Sequence, residues 1–265
     1  MTSVQEIKFE SQNFSKRLKS MLKVDFRRMF TMPLIYIMLG VCLVMPILIL
    51  LMTTMMGSTT DPTTGAEISV GFTNVWQAIS SKSDAGMAMD LTGMANMNML
   101  YFLMAVLVGV FVSDDFRSGY AKNLFTVRSQ KVDYVISKTL VCFVGAVGML
   151  FAFFVGAMLG GRIAGLSFDA GVSGGQIFAC LLAKFFLALL FVSIYLVLSV
   201  VGKQRTWISI LGSFVVGMFM FMMIPMMTPL DASAMHPFMC LAGGAIFSVG
   251  LGAVSNLILN KTSLV

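Results

Sequence analysis

Residues Asp114–Lys138 read DDFRSGYAKNLFTVRSQKVDYVISK. The stretch is polar and basic, it separates two long apolar runs, and the side of a bilayer on which it falls sets the arrangement of the rest. The chain has 265 residues, 58% of them hydrophobic and 11% charged, with a mean hydropathy of +0.90. Soluble domains are roughly one-quarter charged. The composition therefore points to a polytopic membrane protein and excludes a soluble catalytic domain.

Working outward from that stretch, six apolar runs lie at about Leu34–Met56, Met94–Ser113, Thr139–Gly160, Ile177–Val201, Thr206–Met227 and Phe238–Leu259. Each is near the roughly 20 residues a helix needs to cross a bilayer. In hydrocarbon every backbone amide must be paired within the protein, and runs this long are helices rather than barrel strands. The expected fold is all-α, with six transmembrane helices.

Ahead of them, Leu18, Met21, Leu22, Asp25–Phe26 and Met29–Phe30 recur at three- and four-residue steps, with Lys16, Arg17, Lys19, Lys23, Arg27 and Arg28 mostly between them. This pattern fits an amphipathic helix on the membrane surface, the alternative being an ordinary charged flank before a span. Pro33 marks the corner into the first span. Residues 1–33 are thus expected as a cytoplasmic N-terminus with an interfacial helix, too polar for a secretory signal, and 34–265 as one transmembrane domain.

Orientation follows from the cations. With the N-terminus inside, 15 of the 18 Lys and Arg residues face the cytoplasm, Lys82 and Arg162 lie outside, and Lys184 falls in a span. The bias predicts an N-in, C-in protein with 114–138 inside. The longest outer segment, 57–93, is rich in Thr, Ser, Gly and Asp, and around Trp76 it reads as either a short interfacial helix or a plain loop. The link carrying Pro225, Pro229 and Pro237 reads as broken or re-entrant helix ends.

Little in the chain carries chemistry. Cys42, Cys142, Cys180 and Cys240 fall inside apolar runs without metal-like spacing, so they read as small buried residues and no metal site is expected. The basic residues flank spans rather than forming one basic domain, which argues against nucleic acid as a partner. Gly171–Gly175 matches G-x-S-x-G, and the one histidine, His236, is expected on the same side. The pair resembles that of rhomboid-type intramembrane serine proteases, but the other polar helix residues of that pattern are missing and Ser173 reads as part of a flexible turn. Lys184 reads either as a snorkelling residue near a helix end or as part of a polar substrate path. No span carries a mid-helix carboxylate, against a proton-driven carrier, and no Walker-type loop is present, so no catalytic residue and no bound cofactor is assigned.

At 114–138 the chain resembles the permease subunits of ABC transporters of the type-2 exporter family. The acidic residue followed four positions later by glycine is matched by Asp115, Phe116, Arg117 and Gly119, the lysine-containing stretch by Lys122 and Leu124, and the basic–x–x–Tyr–x–x–x–Lys pattern by Lys131, Tyr134 and Lys138. Lys131 stands where Arg is commoner, and no Pro precedes it. The whole layout is also similar. The resemblance implies a plasma-membrane exporter permease of bacterial type, paired with a second copy or a homologous permease, and powered by separate ABC ATPase subunits that hold ATP and Mg. Its cargo would be a hydrophobic or amphipathic drug, peptide or lipid-like molecule. From the residues themselves, Phe116, Tyr120, Leu124 and Phe125 at helical spacing beside Arg117, Lys122 and Arg128 suggest a short helix with aromatic anchors for an ATPase groove, or a second membrane-surface helix. The competing class is a non-transport membrane protein.

Overall fold

The fold was described from a computed structural model covering residues 13–55, 58–60, 67–69, 71–82, 95–127, 131–203 and 205–261. Its order is α1 (Phe14–Thr31), α2 (Pro33–Met55), β1 (Ser58–Thr60), β2 (Glu67–Ser69), α3 (Leu100–Arg117), α4 (Tyr120–Val127), α5 (Lys131–Ile163), α6 (Gly174–Gly202), α7 (Thr206–Phe221), α8 (Met223–Met227) and α9 (Met235–Lys261). Single 3-10 turns occupy Val75–Ala78 and Met97–Met99. Apart from the antiparallel β1–β2 ribbon, the described fold is all-α, as expected of a membrane protein.

Among the described residues, five helical segments are long and apolar enough to cross a membrane: Pro33–Met55, Met97–Arg117, Lys131–Ile163, Gly174–Gly202 and Met235–Lys261. The fifth apolar run differs from a plain span. It divides at Met222 into the 16-residue α7 and the five-residue α8. Pro225 accounts for the division: it supplies no N–H to the carbonyl four residues earlier, Phe221, and its ring clashes with that carbonyl. The expectation of a broken helix in the Pro-rich link is met. The third run is longer than its apolar core, because α5 begins at Lys131 and carries Asp133, Ser137 and Lys138 buried along its first turns.

Packing is set by small residues. The four-residue step Gly156–Gly160 on α5 faces α2, with Gly156 against the Leu43 carbonyl and Pro46, and Gly160 against Ile47. Pro46 lies inside α2 without ending it, tolerated where neighbouring helices pack closely. On α9, Gly244 packs against Phe186 and Leu189 of α6, and Ser193 donates to Ser248 at 3.0 Å. The four cysteines are free and buried.

At the end of the bundle that carries the α5–α6 connection, loops knit the helices together. Trp76 Nε1 donates to the Phe168 carbonyl at 2.8 Å, Val75 N–H donates to Ser167 at 3.1 Å, and Leu230 N–H donates to Ser81 at 2.9 Å. Trp76 therefore sits in a 3-10 turn pinned to the α5–α6 connection, neither a full interfacial helix nor a plain loop. Much of the segment 57–93 lies outside the described residues, as do Arg128 and the first 12 residues.

Candidate functional site

At the opposite end, the polar residues that look like solvated flanks in the sequence turn inward. Met21, Asp25 and Met29 form one buried stripe on α1, four residues apart. The stripe packs on α5, where Met29 lies over Gly145. Placing Asp25 in an apolar stripe would be costly unless its charge is met. It is met by Lys138, whose Nζ lies 2.9 Å from Asp25 Oδ1 and 2.7 Å from Asp115 Oδ2, with all three side chains fully buried. Ser137, one position earlier on α5, donates to Asp25 Oδ2 at 2.6 Å.

Asp115, near the C-terminal end of α3, is the hub. Besides Lys138 it receives Arg28 Nη1 at 2.5 Å and the Tyr134 hydroxyl at 2.9 Å. Arg28 also approaches Asp114 at 3.8 Å, and Arg17 Nε pairs with Asp133 Oδ2 at 3.1 Å. Within the central group, two carboxylates meet two cations. Ions this deep are tolerable only when paired and hydrogen-bonded, and loss of one partner strands the others. The group clasps α1, α3 and α5 together.

A short helix is built on the clasp. Ser118 N–H closes α3 on the Asp114 carbonyl at 2.9 Å, and Gly119 takes a left-handed conformation, φ 73°, that redirects the chain into α4. The aromatic residues of this segment face inward. Phe116 is buried edge-on to Tyr134, Phe125 meets the same ring at 5.3 Å between centroids, and the Arg28 guanidinium lies 4.0 Å above the Tyr120 ring. Burial pushes the Tyr120 phenol above its ordinary pKa, with Asp25 adding to the effect and Lys138 and Arg28 opposing it. Ala121 is buried and Leu124 half-buried. The outward ridge is Arg117, Ser118, Lys122, Asn123 and Thr126. Lys131, at the start of α5, is half-buried and donates to the Leu259 carbonyl of α9 at 2.6 Å.

A family model described as an ABC-2 family transporter protein matches residues 22–221. The chain belongs to the ABC-2 transporter family. Comparisons with curated proteins and with solved structures give no significant match. In this ABC-2 protein the family match starts inside α1 and ends with α7, so it spans all three helices of the clasp and all of α4. The chain is a multi-pass membrane permease component. Such components are generally not catalytic themselves and work with ABC ATPase subunits.

The remaining residues singled out in the sequence lie elsewhere in the ABC-2 fold. On α1, Lys16, Lys19, Lys23 and Arg27 are exposed, whereas Arg17 and Arg28 are half-buried and spent on α5 and α3. Ser173 is the N-cap of α6: its hydroxyl accepts from Gln176 N–H, and Gln176 Oε1 accepts from Ser173 N–H, a complete capping box. His236 Nδ1 lies 3.1 Å from both Ser233 N and Ser233 Oγ. Each member of the supposed Ser–His pair is thus engaged locally, and no hydrogen bond joins them among the described residues. No cluster of three His, Cys, Asp or Glu side chains able to hold a metal ion occurs there either. Lys184 does not snorkel; it is fully buried, ten residues into α6.

Sequence reasoning singled out Asp115, Lys131 and Lys138 within a motif, but did not read Asp25, Asp115, Asp133, Ser137 and Lys138 as members of one buried network. Asp25 carried a usable signal: it stands between Met21 and Met29 on the apolar face of α1.

Proposed function

We propose that this chain is the permease half of an ATP-driven exporter, paired with a second permease and docked through α4 on separate ABC ATPase subunits that hold ATP and Mg. The family match supports the permease, and the form of α4 carries the docking reading. One face of α4 is fastened to the clasp and the other leaves Lys122, Asn123 and Thr126 exposed, beside Arg117 at the end of α3. Such a helix is held firmly enough to pass a push from a partner to α1, α3 and α5 together. The contact is a charged ridge meeting an acidic rim, rather than aromatic anchors entering a groove, because Phe116 and Phe125 are already packed against Tyr134.

In this reading the clasp end faces the cytoplasm, both termini are inside, α7 and α8 together make the fifth of six crossings, and the membrane is a bacterial plasma membrane. The cation bias supports that orientation. Closure of the ATPase subunits would favour one arrangement of the bundle over another, giving alternating access limited by the difference in ATP affinity between the two states. A hydrophobic or amphipathic cargo agrees with the apolar groove of about 580 Å³ between α5, α6 and α9, lined by Val135, Ile136, Leu140, Leu189 and Val249.

The test is charge reversal on the ridge. Arg117→Glu combined with Lys122→Glu is expected to cut co-purification of a co-expressed cognate ABC ATPase by about tenfold. The thermal midpoint of the permease alone should stay put, since both side chains are solvated and the Arg117–Asp114 pair at 3.6 Å is a surface one. Retention of the ATPase at the wild-type level would reject α4 as the docking element.

A further inference from the structure

The second buried lysine has no counter-ion. Lys184 Nζ lies 2.5 Å from Asn98 Oδ1 and 3.0 Å from Thr228 Oγ1, and no carboxylate pairs with it among the described residues. Lys138, by contrast, has two. An ammonium carries three N–H donors, and the two contacts to neutral oxygens leave one over.

Asn98 adds to the surplus. It is fully buried, yet its Nδ2 has no hydrogen-bond partner. Turning the amide over would aim that N–H2 at an ammonium, so the orientation is fixed by Lys184 itself. Nδ2 is consequently no farther from Nζ than one amide width plus one hydrogen bond. The neighbouring acceptors are in use: the Thr228 carbonyl accepts from Ser80 Oγ at 2.7 Å and Cys180 Sγ at 3.4 Å, and the Thr228 hydroxyl donates to Ile224 at 2.9 Å. What remains is one positive charge and several N–H groups, close together and shielded from water.

We infer that Lys184 Nζ and Asn98 Nδ2 form a binding site for one small anion, a halide or a carboxylate group. Water would satisfy the N–H groups but leave the charge uncompensated inside the protein, where an unpaired ion is costly. The site lies where α6, the turn at Met97–Met99 and the end of α8 meet. Movement of the Pro225–Pro237 link, which carries Thr228, would uncover it. The site is independent of α4 and of the direction of transport.

The full chain, purified in detergent, would be unfolded by heat at one ionic strength in sodium chloride, bromide, formate or gluconate. Chloride or formate at ten times its dissociation constant should raise the midpoint by about 3 °C over gluconate, which is too large to enter. Stabilisation by both halides identifies a free inorganic ion as the source; stabilisation by formate alone identifies a carboxylate-bearing molecule. Asn98→Asp, which sets a carboxylate beside the ammonium at unchanged size, should fold and lose the anion response. Lys184→Met should lose it as well. Equal midpoints in all four salts for the wild type, or a response that survives Asn98→Asp, would overturn the site.

Discussion

Replacing Lys138 with Met is expected to destabilise the protein by about 3–5 kcal/mol, the loss typical when one partner of a buried ion pair is removed. Met fills nearly the same volume, so the effect would report charge rather than packing. Asp25 and Asp115 would face one another across the vacated position with only Arg28 left to oppose them. Asp25 suffers most, because Ser137 is its other polar partner and a hydroxyl carries no charge. The expected course is release of α1 from α5, read as protease cleavage within 14–31 and a lower thermal midpoint. Asp25→Asn added to Lys138→Met restores the balance of one carboxylate to one cation. The double variant should recover part of the loss, a coupling that a double-mutant cycle measures directly. Additive losses would show that Asp25 and Lys138 are not coupled.

Gly156→Leu is expected to cost as much by a different route. A Cβ at 156 would run into the carbonyl of Leu43 and the ring of Pro46, and neither is the free end of a flexible side chain. The two helices can relieve the clash only by moving apart. α2 would then lose its seat along Gly156 and Gly160, and with it the van der Waals contact that drives helix association where lipid is as apolar as the side chains. Failure of the protein to accumulate in the membrane, or a midpoint lower by about 5 °C or more, is the expected result. Gly148→Ala on the same helix is the control, since its added Cβ would lie in ordinary contact, 3.6 Å from Leu39. Equal tolerance of both substitutions would show that α2 and α5 are not packed at this spacing.

The five long apolar helices were legible because hydropathy over some twenty residues is a strong signal and needs no knowledge of neighbours. Pro225, Pro229 and Pro237 marked the link after the fifth run as broken, though not the division of that run at Met222. The clasp was not legible: Asp25, Asp115 and Lys138 belong to three helices, and 90 residues separate the first two. A charge at the end of an apolar run looks the same whether it meets water or another charge. The same limit applies to Lys184, whose inward course depends on Asn98 and Thr228 arriving from distant parts of the chain. The aromatic spacing of 116–125 suggested one short helix, but Gly119 divides it: Phe116 ends α3, and Tyr120, Leu124 and Phe125 lie on α4. Phe116 and Phe125 pack against Tyr134 of this chain, which periodicity alone could not reveal.

The division of the α1 cations gives that helix two attachments of different character. Arg17 and Arg28 hold it to protein through short, partly enclosed ion pairs, while Lys16, Lys19, Lys23 and Arg27 point outward toward any anionic headgroups. Mobile ions screen exposed charges far more than enclosed ones. Raising the salt from about 0.1 M to about 1 M should therefore weaken binding of an isolated 13–31 peptide to anionic vesicles, while protease protection of α1 in the intact protein stays unchanged. With that outcome, α1 would respond to the lipid composition of its membrane without giving up its place in the fold.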